Sequence, residues 1–286
     1  MRIVVWGARG SVPAPGPETQ RYGGNTACVE VRGDDGTLLI LDAGTGIRRM
    51  GESVCCDYRK IHILLTHLHL DHIQGLGFFA PLYDPNVEVH VWGPASTTEG
   101  LRSRLIRYLS PPLFPIHMRE LPNLFLHEIP EEDLRIGEFT VKSALISHPG
   151  PTLGYRVESP SGSLCYMPDH EPVIGSADWP ADPDWISGFG LARDADVLIH
   201  DAQFNRAGYE NRIGWGHCSL HDALRFADIA KVRQFVTFHY DPNDDDSEVD
   251  ALIAQALSEM KPEFPVVAGY EGLSIELPGI RRKIAV

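Results

Sequence analysis

Thr66-His67-Leu68-His69-Leu70-Asp71-His72 is the stretch that decides how this chain is read. It follows Lys60–Leu65 (KIHILL), a short apolar run of the kind that forms a buried strand. Four potential metal ligands lie within six residues. In an extended start, strand alternation sends His67 and His69 to the same side. If Asp71 opens a helix, Asp71 and His72 point elsewhere yet stay close, so the segment offers donors to two metal positions rather than one. Mixed imidazole and carboxylate donors are those of catalytic zinc sites. The competing reading, a polar loop with chance histidines, leaves that density unexplained.

Upstream, residues 2–6 read as a strand, followed by a Gly- and Pro-rich connection over 7–25 whose length marks it as functional. Thr26–Arg32 and Thr37–Asp42 read as strands joined by the turn Gly33-Asp-Asp-Gly36, and the second runs into Asp42-Ala-Gly-Thr-Gly46. Downstream, strands are expected at Val87–Trp92, Leu121–His127, Phe139–Ser147, Leu153–Ser159, Ser163–Met167, Val197–His200 and Gln234–Phe238, with one or two more in Val266–Leu277. Helices are expected at Thr97–Leu109, Ser219–Lys231 and Ser247–Met260, the second capped by its serine. The prolines of 110–119 exclude a regular helix there. Two mixed sheets packed face to face with helices outside satisfy this order: an α/β, four-layer αββα sandwich. One domain is expected over 1–286, with 93–130 and 171–195 as lid insertions.

The chain has 286 residues, 43% hydrophobic and 22% charged, which excludes collagen-like, coiled-coil and wholly disordered classes. With 25 basic and 39 acidic side chains the net charge is −14, which repels long polyanions. Five cysteines, two of them adjacent and none in a CxxC pair, fit neither a disulfide framework nor a zinc ribbon. No apolar run approaches a membrane span of about 18 residues, and the apolar start is too short for a signal-peptide core. A soluble, cytoplasmic protein is expected.

The segment from Thr66 to His72 resembles the Thr-His-x-His-x-Asp-His signature of the metallo-β-lactamase-fold superfamily, and the resemblance extends along the whole chain. Asp42-Ala-Gly-Thr-Gly46 resembles the Asp-x-Gly loop that precedes it. His148, Asp169 and His239 each follow an expected strand, in the superfamily's order. The resemblance implies that His67, His69 and His148 hold one metal, that Asp71, His72 and His239 hold the other, and that Asp169 bridges them. Five imidazoles and two carboxylates suit two Zn²⁺, with Mn²⁺ or Fe as weaker candidates. A histidine at 69, where di-iron oxygen-reducing members carry glutamate, favours hydrolysis over redox chemistry. Aspartate at 169, where the β-lactamases carry cysteine, is similar to the phosphodiesterase and glyoxalase II branches. Asp42 is expected to orient a metal-bound histidine rather than to bind metal itself.

Leu198-Ile-His200-Asp201-Ala-Gln203 resembles the His-Glu-Ala-Thr segment of tRNase Z-like enzymes, and Gly216-His217-Cys218-Ser219 resembles their Gly-His-Ser segment. The resemblance implies Asp71, Asp201 and His217 as catalytic residues. Paired cations would share a water of lowered pKa, and His217, steadied by Asp201, would protonate the leaving oxygen. True tRNase Z enzymes grip RNA with a long arm between the positions of His148 and Asp169. Only 20 residues separate those two here, enough for a plain hairpin. The expected substrate is therefore a small phosphodiester, a cyclic nucleotide or related cyclic phosphate. Long nucleic acid and membrane are not expected partners, and a homodimer is expected by analogy. The alternatives are a thioester, lactone or lactam hydrolase, an RNA 3′-processing endonuclease, and a metal-bound regulatory protein.

His62, His90, His117, His127 and His221 lie in no motif and are expected at the surface or half-buried, while His170 could face the site from beside Asp169. Arg102, Arg104, Arg107 and Arg119 read as a solvated face, with phosphate binding beside 110–119 as the alternative. Tyr108 and Phe114 read as core.

Overall fold

Apolar residues alternating along short strands leave one face of each strand to be buried, and two such faces pressed together account for the centre of the molecule. The computed structural model describes residues 1–54, 57–175 and 179–277, which leaves Cys55, Cys56 and part of the expected 171–195 insertion outside the described residues. Strands β1 (Arg2–Gly7), β2 (Cys28–Arg32), β3 (Leu38–Leu41), β4 (Lys60–Leu64), β5 (Glu88–Gly93) and β6 (Leu124–Glu128) form the first sheet. Strands β7 (Leu134–Ile136), β8 (Phe139–Leu145), β9 (Leu153–Ser159), β10 (Gly162–Met167), β11 (Val197–Asp201), β12 (Phe235–Phe238) and β13 (Val266–Ala268) form the second. The chain then returns to the first sheet through β14 (Ser274–Glu276), antiparallel to β1.

Each sheet has seven strands and is mixed. β3, β4, β5 and β6 run parallel, as do β10, β11, β12 and β13, while β1–β2–β3 and β7–β8–β9–β10 are antiparallel. Ile3, Val5, Val29, Val31, Leu39 and Leu41 of the first sheet meet Phe139, Val141, Tyr155, Val157, Ile199 and Val236 of the second. Each buried aliphatic side chain there contributes about 1.5–3 kcal/mol. Helices α1 (Gly46–Val54), α2 (Leu70–Ile73) and α3 (Leu101–Ile106) follow strands of the first sheet, whose outer face packs against Ile47, Met50 and Leu105. Helices α4 (Phe189–Ala192), α5 (Arg206–Glu210), α6 (Leu220–Ile229) and α7 (Asp246–Met260) belong to the second half, with Leu224 and Leu252 packed on its outer face. The αββα sandwich is thereby established.

The expected elements differ from the observed ones mainly in length. The helix expected over Thr97–Leu109 shrinks to α3, because the chain turns over Tyr108 and Leu109 to lay Leu105, Leu109 and Phe114 into one apolar cluster. α6 starts after Ser219, whose hydroxyl accepts from the Asp222 amide, and α7 starts after Asp245 in a capping box with Glu248. Val266–Leu277 divides between the two sheets. Helix α1 was not expected, since Gly46 and Gly51 are poor helix formers. Close packing requires both: a Cβ at Gly46 would lie 2.5 Å from the Trp6 carbonyl, and one at Gly51 would lie 2.8 Å from the Phe79 ring.

Candidate metal centre

The parallel strands bring their carboxyl ends to one edge of the sandwich, where ligands collect in open α/β sheets. Asp42 follows β3, His67 and His69 follow β4, His148 follows β8, and Asp169 follows β10. Asp201 ends β11 and His239 follows β12. α2 begins at Leu70 with His69 extended before it, so Asp71 and His72 turn away from His67 and His69 as the signature requires.

All seven side chains expected as ligands converge. His67, His69, His148 and Asp169 offer donor atoms within 4.8 Å of one another, and so do Asp71, His72, Asp169 and His239. Asp169 faces both groups. Its Oδ2 lies 3.7 Å from His67 Nε2 and 3.8 Å from His148 Nε2, while Oδ1 lies 3.0 Å from His72 Nε2 and 3.3 Å from His239 Nε2. His69 Nδ1 is 3.2 Å from His148 Nε2, and Asp71 Oδ2 is 3.1 Å from His239 Nε2.

The residues around the cluster fix which nitrogen of each ring faces inward. His72 Nδ1–H donates to Asp42 at 2.8 Å, which leaves Nε2 for the centre. The Asp42 carboxylate also accepts from the Thr66 amide and hydroxyl and from Tyr166 Oη. This is the orienting role expected for it. His148 Nδ1–H donates to the Gly216 carbonyl at 2.8 Å. His67 Nδ1 lies 3.0 Å from the Thr66 hydroxyl. The Ser11 amide donates to Asp71 Oδ2 at 2.8 Å.

Three observations test whether this donor set fits metal. His67 Nε2, His72 Nε2 and Asp169 Oδ1 are buried without a hydrogen-bond partner. Asp42, Asp71, Asp169 and Asp201 are buried, and their ion-pair partners among the described residues are histidines alone. Buried carboxylates need a cation. Burial lowers the pKa of His67, of His69 and of His148, the last to about 4, so these imidazoles are neutral and carry a free lone pair. At His72, burial acts the same way, but Asp169, Asp71 and Asp42 outweigh it and raise the pKa well above its ordinary value. Asp169 and Asp71 are driven well below the usual carboxylate range: burial opposes this, and the surrounding imidazoles prevail. The residues fit a divalent metal centre.

His217 and Asp201 meet beside that centre. His217 Nδ1–H donates to Asp201 Oδ2 at 2.6 Å, and Nε2 lies 3.9 Å from Asp169 Oδ2. Asp201 is itself anchored by the Gln203 amide. Burial disfavours the imidazolium, but Asp201 more than offsets it and raises the His217 pKa to about 9. His170, by contrast, does not face the site. His200 Nδ1–H donates to the Asp201 carbonyl, so its Nε2 accepts from His170 Nδ1–H at 2.8 Å, and both rings lie against Phe226. Past the end of β10, packing against His200 and Phe226 turns the His170 ring away from the donors. Of the histidines without a motif, His62, His90, His117 and His127 are half-buried, but His221 is buried and bonded to Glu259.

Glu171 had no sequence signal. It is buried, and its carboxylate accepts from Tyr209 Oη, the Gly214 amide and the Gly216 amide. It thus fixes the loop whose Gly216 carbonyl orients His148. Ser11 did carry a signal, because it lies in the long connection over 7–25. Two cavities flank the donors. One, of about 340 Å³, is lined by His67, His69, Arg104, Arg107 and Pro149. The other, of about 550 Å³, is lined by His217, Gln203, Phe204, Arg212 and Trp215. Arg102 and Arg119 are exposed, and Phe114 is core.

A family model described as beta-lactamase superfamily domain matches residues 37–240. An uncharacterised protein of Mycobacterium leprae is 29% identical over 292 residues, covering 99% of this chain and 90% of its own. A ribonuclease Z of Thermoplasma acidophilum is 26% identical over 304 residues, covering 92% and 93% of the two chains. A solved structure described as a new diphosphatase from the PhnP family shares the fold, with a TM-score of 0.67 at 19% identity over 96% of this chain and 97% of that one. Among the described residues, no helix is long and apolar enough to cross a membrane. The match over residues 37–240, together with the paired sheets and the histidine–aspartate cluster at their edge, makes this chain a member of the beta-lactamase superfamily, a hydrolase of the metallo-β-lactamase fold.

Proposed function

We propose that the protein is a dinuclear-metal phosphodiesterase acting on a small phosphodiester, such as a cyclic nucleotide or a related cyclic phosphate. The observation that carries this reading is the Asp201–His217 pair, bonded at 2.6 Å with the free imidazole nitrogen turned towards Asp169. A thioester expels a thiolate, which leaves without a proton, so its hydrolysis does not require such a pair. An alkoxide leaving a phosphodiester needs a proton, and an imidazolium backed by a carboxylate supplies one. Similarity to ribonuclease Z over most of the chain, and a fold shared with a diphosphatase, support phosphoester chemistry.

His67, His69 and His148 would hold one cation, Asp71, His72 and His239 the second, and Asp169 both; imidazole and carboxylate donors without thiolate suit Zn²⁺. Metal bound there would lower the pKa of a water and neutralise phosphate oxygens as charge builds. The chain's own residues do the rest. Asp42 holds His72 in one tautomer, and the Gly216 carbonyl does the same for His148. Asp201 keeps His217 protonated and aimed. Water adds its oxygen to phosphorus, the P–O bond to the alcohol breaks with its electron pair on that oxygen, and His217 Nε2–H protonates it. The proton lost by water to solvent restores His217.

Substrate size follows from what lies between His148 and Asp169. β9 and β10 form a plain hairpin there, with no arm to grip folded RNA. Segment 93–130 brings Arg104 and Arg107, of α3 and its C-cap, to the cavity on the His67 side, which supports reading this segment as a lid. The deciding experiment assays zinc-loaded protein on 3′,5′- and 2′,3′-cyclic nucleotides, cyclic dinucleotides, a tRNA precursor, nitrocefin and a thioester. Turnover confined to small phosphodiesters is expected. Faster cleavage of the tRNA precursor, or of nitrocefin or the thioester, overturns the proposal.

A further inference from the structure

We propose that the 550 Å³ cavity beside His217 seats the leaving arm of the substrate, and that this arm is a nucleoside whose base stacks on Trp215. The inference rests on the phosphodiester reading above and adds a direction to it. A proton donor must face the leaving oxygen, so the cavity that the donor lines is the one that receives the leaving group. His217 lines this cavity, whereas the 340 Å³ cavity on the other side is walled by His67, His69 and two arginines. The two cavities are therefore chemically unequal.

The walls of the larger cavity suit a planar heteroaromatic ring attached to a polar sugar. Trp215 is 61% exposed at its rim, a large apolar surface left open where stacking would cover it. The Arg212 guanidinium lies 4.8 Å from the Phe204 ring centre and 6.0 Å from that of Trp215. Its Nη1 donates to the Gly208 carbonyl, and no carboxylate among the described residues forms an ion pair with it. Asp241 lines the same cavity without ion-pairing to Arg212, and in a chain of net charge −14 a cation left unpaired there is a recognition element for an electron-rich ring or a phosphate. Gln203 is 5% exposed, its Nε2 donates to Ser11 Oγ, and its Oε1 has no partner. Asn243 adds a second amide at the opposite wall.

Both walls are held in place before any ligand arrives. Glu171 binds the Gly214 and Gly216 amides and so fixes the loop that carries Arg212 and Trp215. Across the cavity, the buried Arg9 donates through Nη1 to the carbonyls of Asp241 and Asp244. A preorganised aromatic platform costs little to occupy. In a cyclic nucleotide, the P–O bond that breaks is the one to the ribose oxygen. Its electron pair leaves on that oxygen, which takes the proton from His217, while water supplies the new oxygen on phosphorus. The ribose and base then remain in this cavity as part of the nucleoside monophosphate.

The test compares adenosine 2′,3′-cyclic phosphate with 1-O-methylribose 2,3-cyclic phosphate, which lacks the base, on zinc-loaded wild type, Trp215→Ala, Trp215→Phe and Arg212→Gln. Wild type is expected to favour the nucleoside by roughly ten- to hundredfold in kcat/KM, the scale of base–aromatic stacking. Trp215→Ala should lose that preference, Trp215→Phe should restore most of it, and Arg212→Gln should reduce it. Equal turnover of the two substrates by wild type, or an undiminished preference in Trp215→Ala, overturns the pocket and leaves the phosphodiesterase standing. If wild type cleaves neither, the phosphodiester reading fails, and calorimetry with adenosine 3′-monophosphate decides the pocket. Tenfold weaker binding to Trp215→Ala than to wild type supports it, and equal or absent binding overturns it.

Discussion

Asp42, Ser11 and His239 each hold a φ of 61°, a left-handed conformation that costs a non-glycine residue on the order of 1–3 kcal/mol. All three touch the metal centre, so the strain is stored where it aims Asp42 at His72, the Ser11 amide at Asp71, and the His239 ring at Asp169. Roles at this scale separate cleanly by substitution. His69→Ala is expected to lose bound metal and nearly all hydrolysis, as read by elemental analysis beside turnover. His217→Ala should keep its metal while slowing turnover by about 10²–10⁴; loss of metal from this variant would assign His217 to the ligands instead. Asp201 holds the His217 pKa up, and in the proposed mechanism the protonated form is the donor, so activity is expected to fall as pH rises through that value. Asp201→Asn is therefore expected to move the alkaline limb of the kcat/KM profile to lower pH, and an unmoved limb would remove His217 from the role of acid.

On the inner face of β4, β5 and β6, cross-strand register places His62 beside His90 and Trp92 beside His127, so their rings stack in a row. Trp92 Nε1–H donates to His62 Nδ1, a bond that only the neutral imidazole can accept. Burial, with His90 nearby, lowers the His62 pKa from 6.5 to about 4. The unfolded chain therefore takes up a proton that the fold refuses. This contribution to stability is complete above pH 6.5 and is lost as pH falls towards 4. His62→Leu should flatten the decline of Tm between pH 6.5 and 4 relative to wild type; parallel Tm curves would count against it. Glu171, just past β10, holds the loop between α5 and α6, and Glu171→Gln replaces a carboxylate that accepts from Tyr209, Gly214 and Gly216 with a weaker amide acceptor. It should lower kcat without abolishing metal binding, since the loop positions His148 and His217 from outside.

At the scale of the whole molecule, the two sheets meet through one apolar layer, while the acids and imidazoles lie at its edge. Chelation leaves those buried carboxylates without their cation, and metal bound only to the native state adds about 2.7 kcal/mol at a hundred times its Kd. A chelator should therefore lower Tm by several degrees and zinc should restore it; an unchanged Tm would mean that the cluster does not bind metal tightly. Truncation within the layer acts differently. Phe139→Ala is expected to cost about 3–5 kcal/mol with the metal ligands untouched, as measured by urea unfolding.

The candidate donor cluster was legible because metal chemistry restricts residue type and spacing together: a strand end followed by a helix start presents His67, His69, Asp71 and His72 whatever the rest of the chain does. Asp42, His148, Asp169 and His239 could be located because each ends an apolar strand, and strand ends of parallel sheets share one edge. The sheet order was legible only as a class. Short apolar runs fix that strands exist, whereas long-range pairing fixed that β14 returns to β1 and that α1 needs glycine against Trp6 and Phe79. His170 and Glu171, neighbours of Asp169, were beyond local reading, since only packing decides that one ring turns away to His200 and one acid turns back to hold a distant loop. Local sequence determined which donors exist and in what order. Tertiary structure decided which atom of each ring is free and which cavity His217 faces, because those depend on hydrogen bonds between residues tens of positions apart.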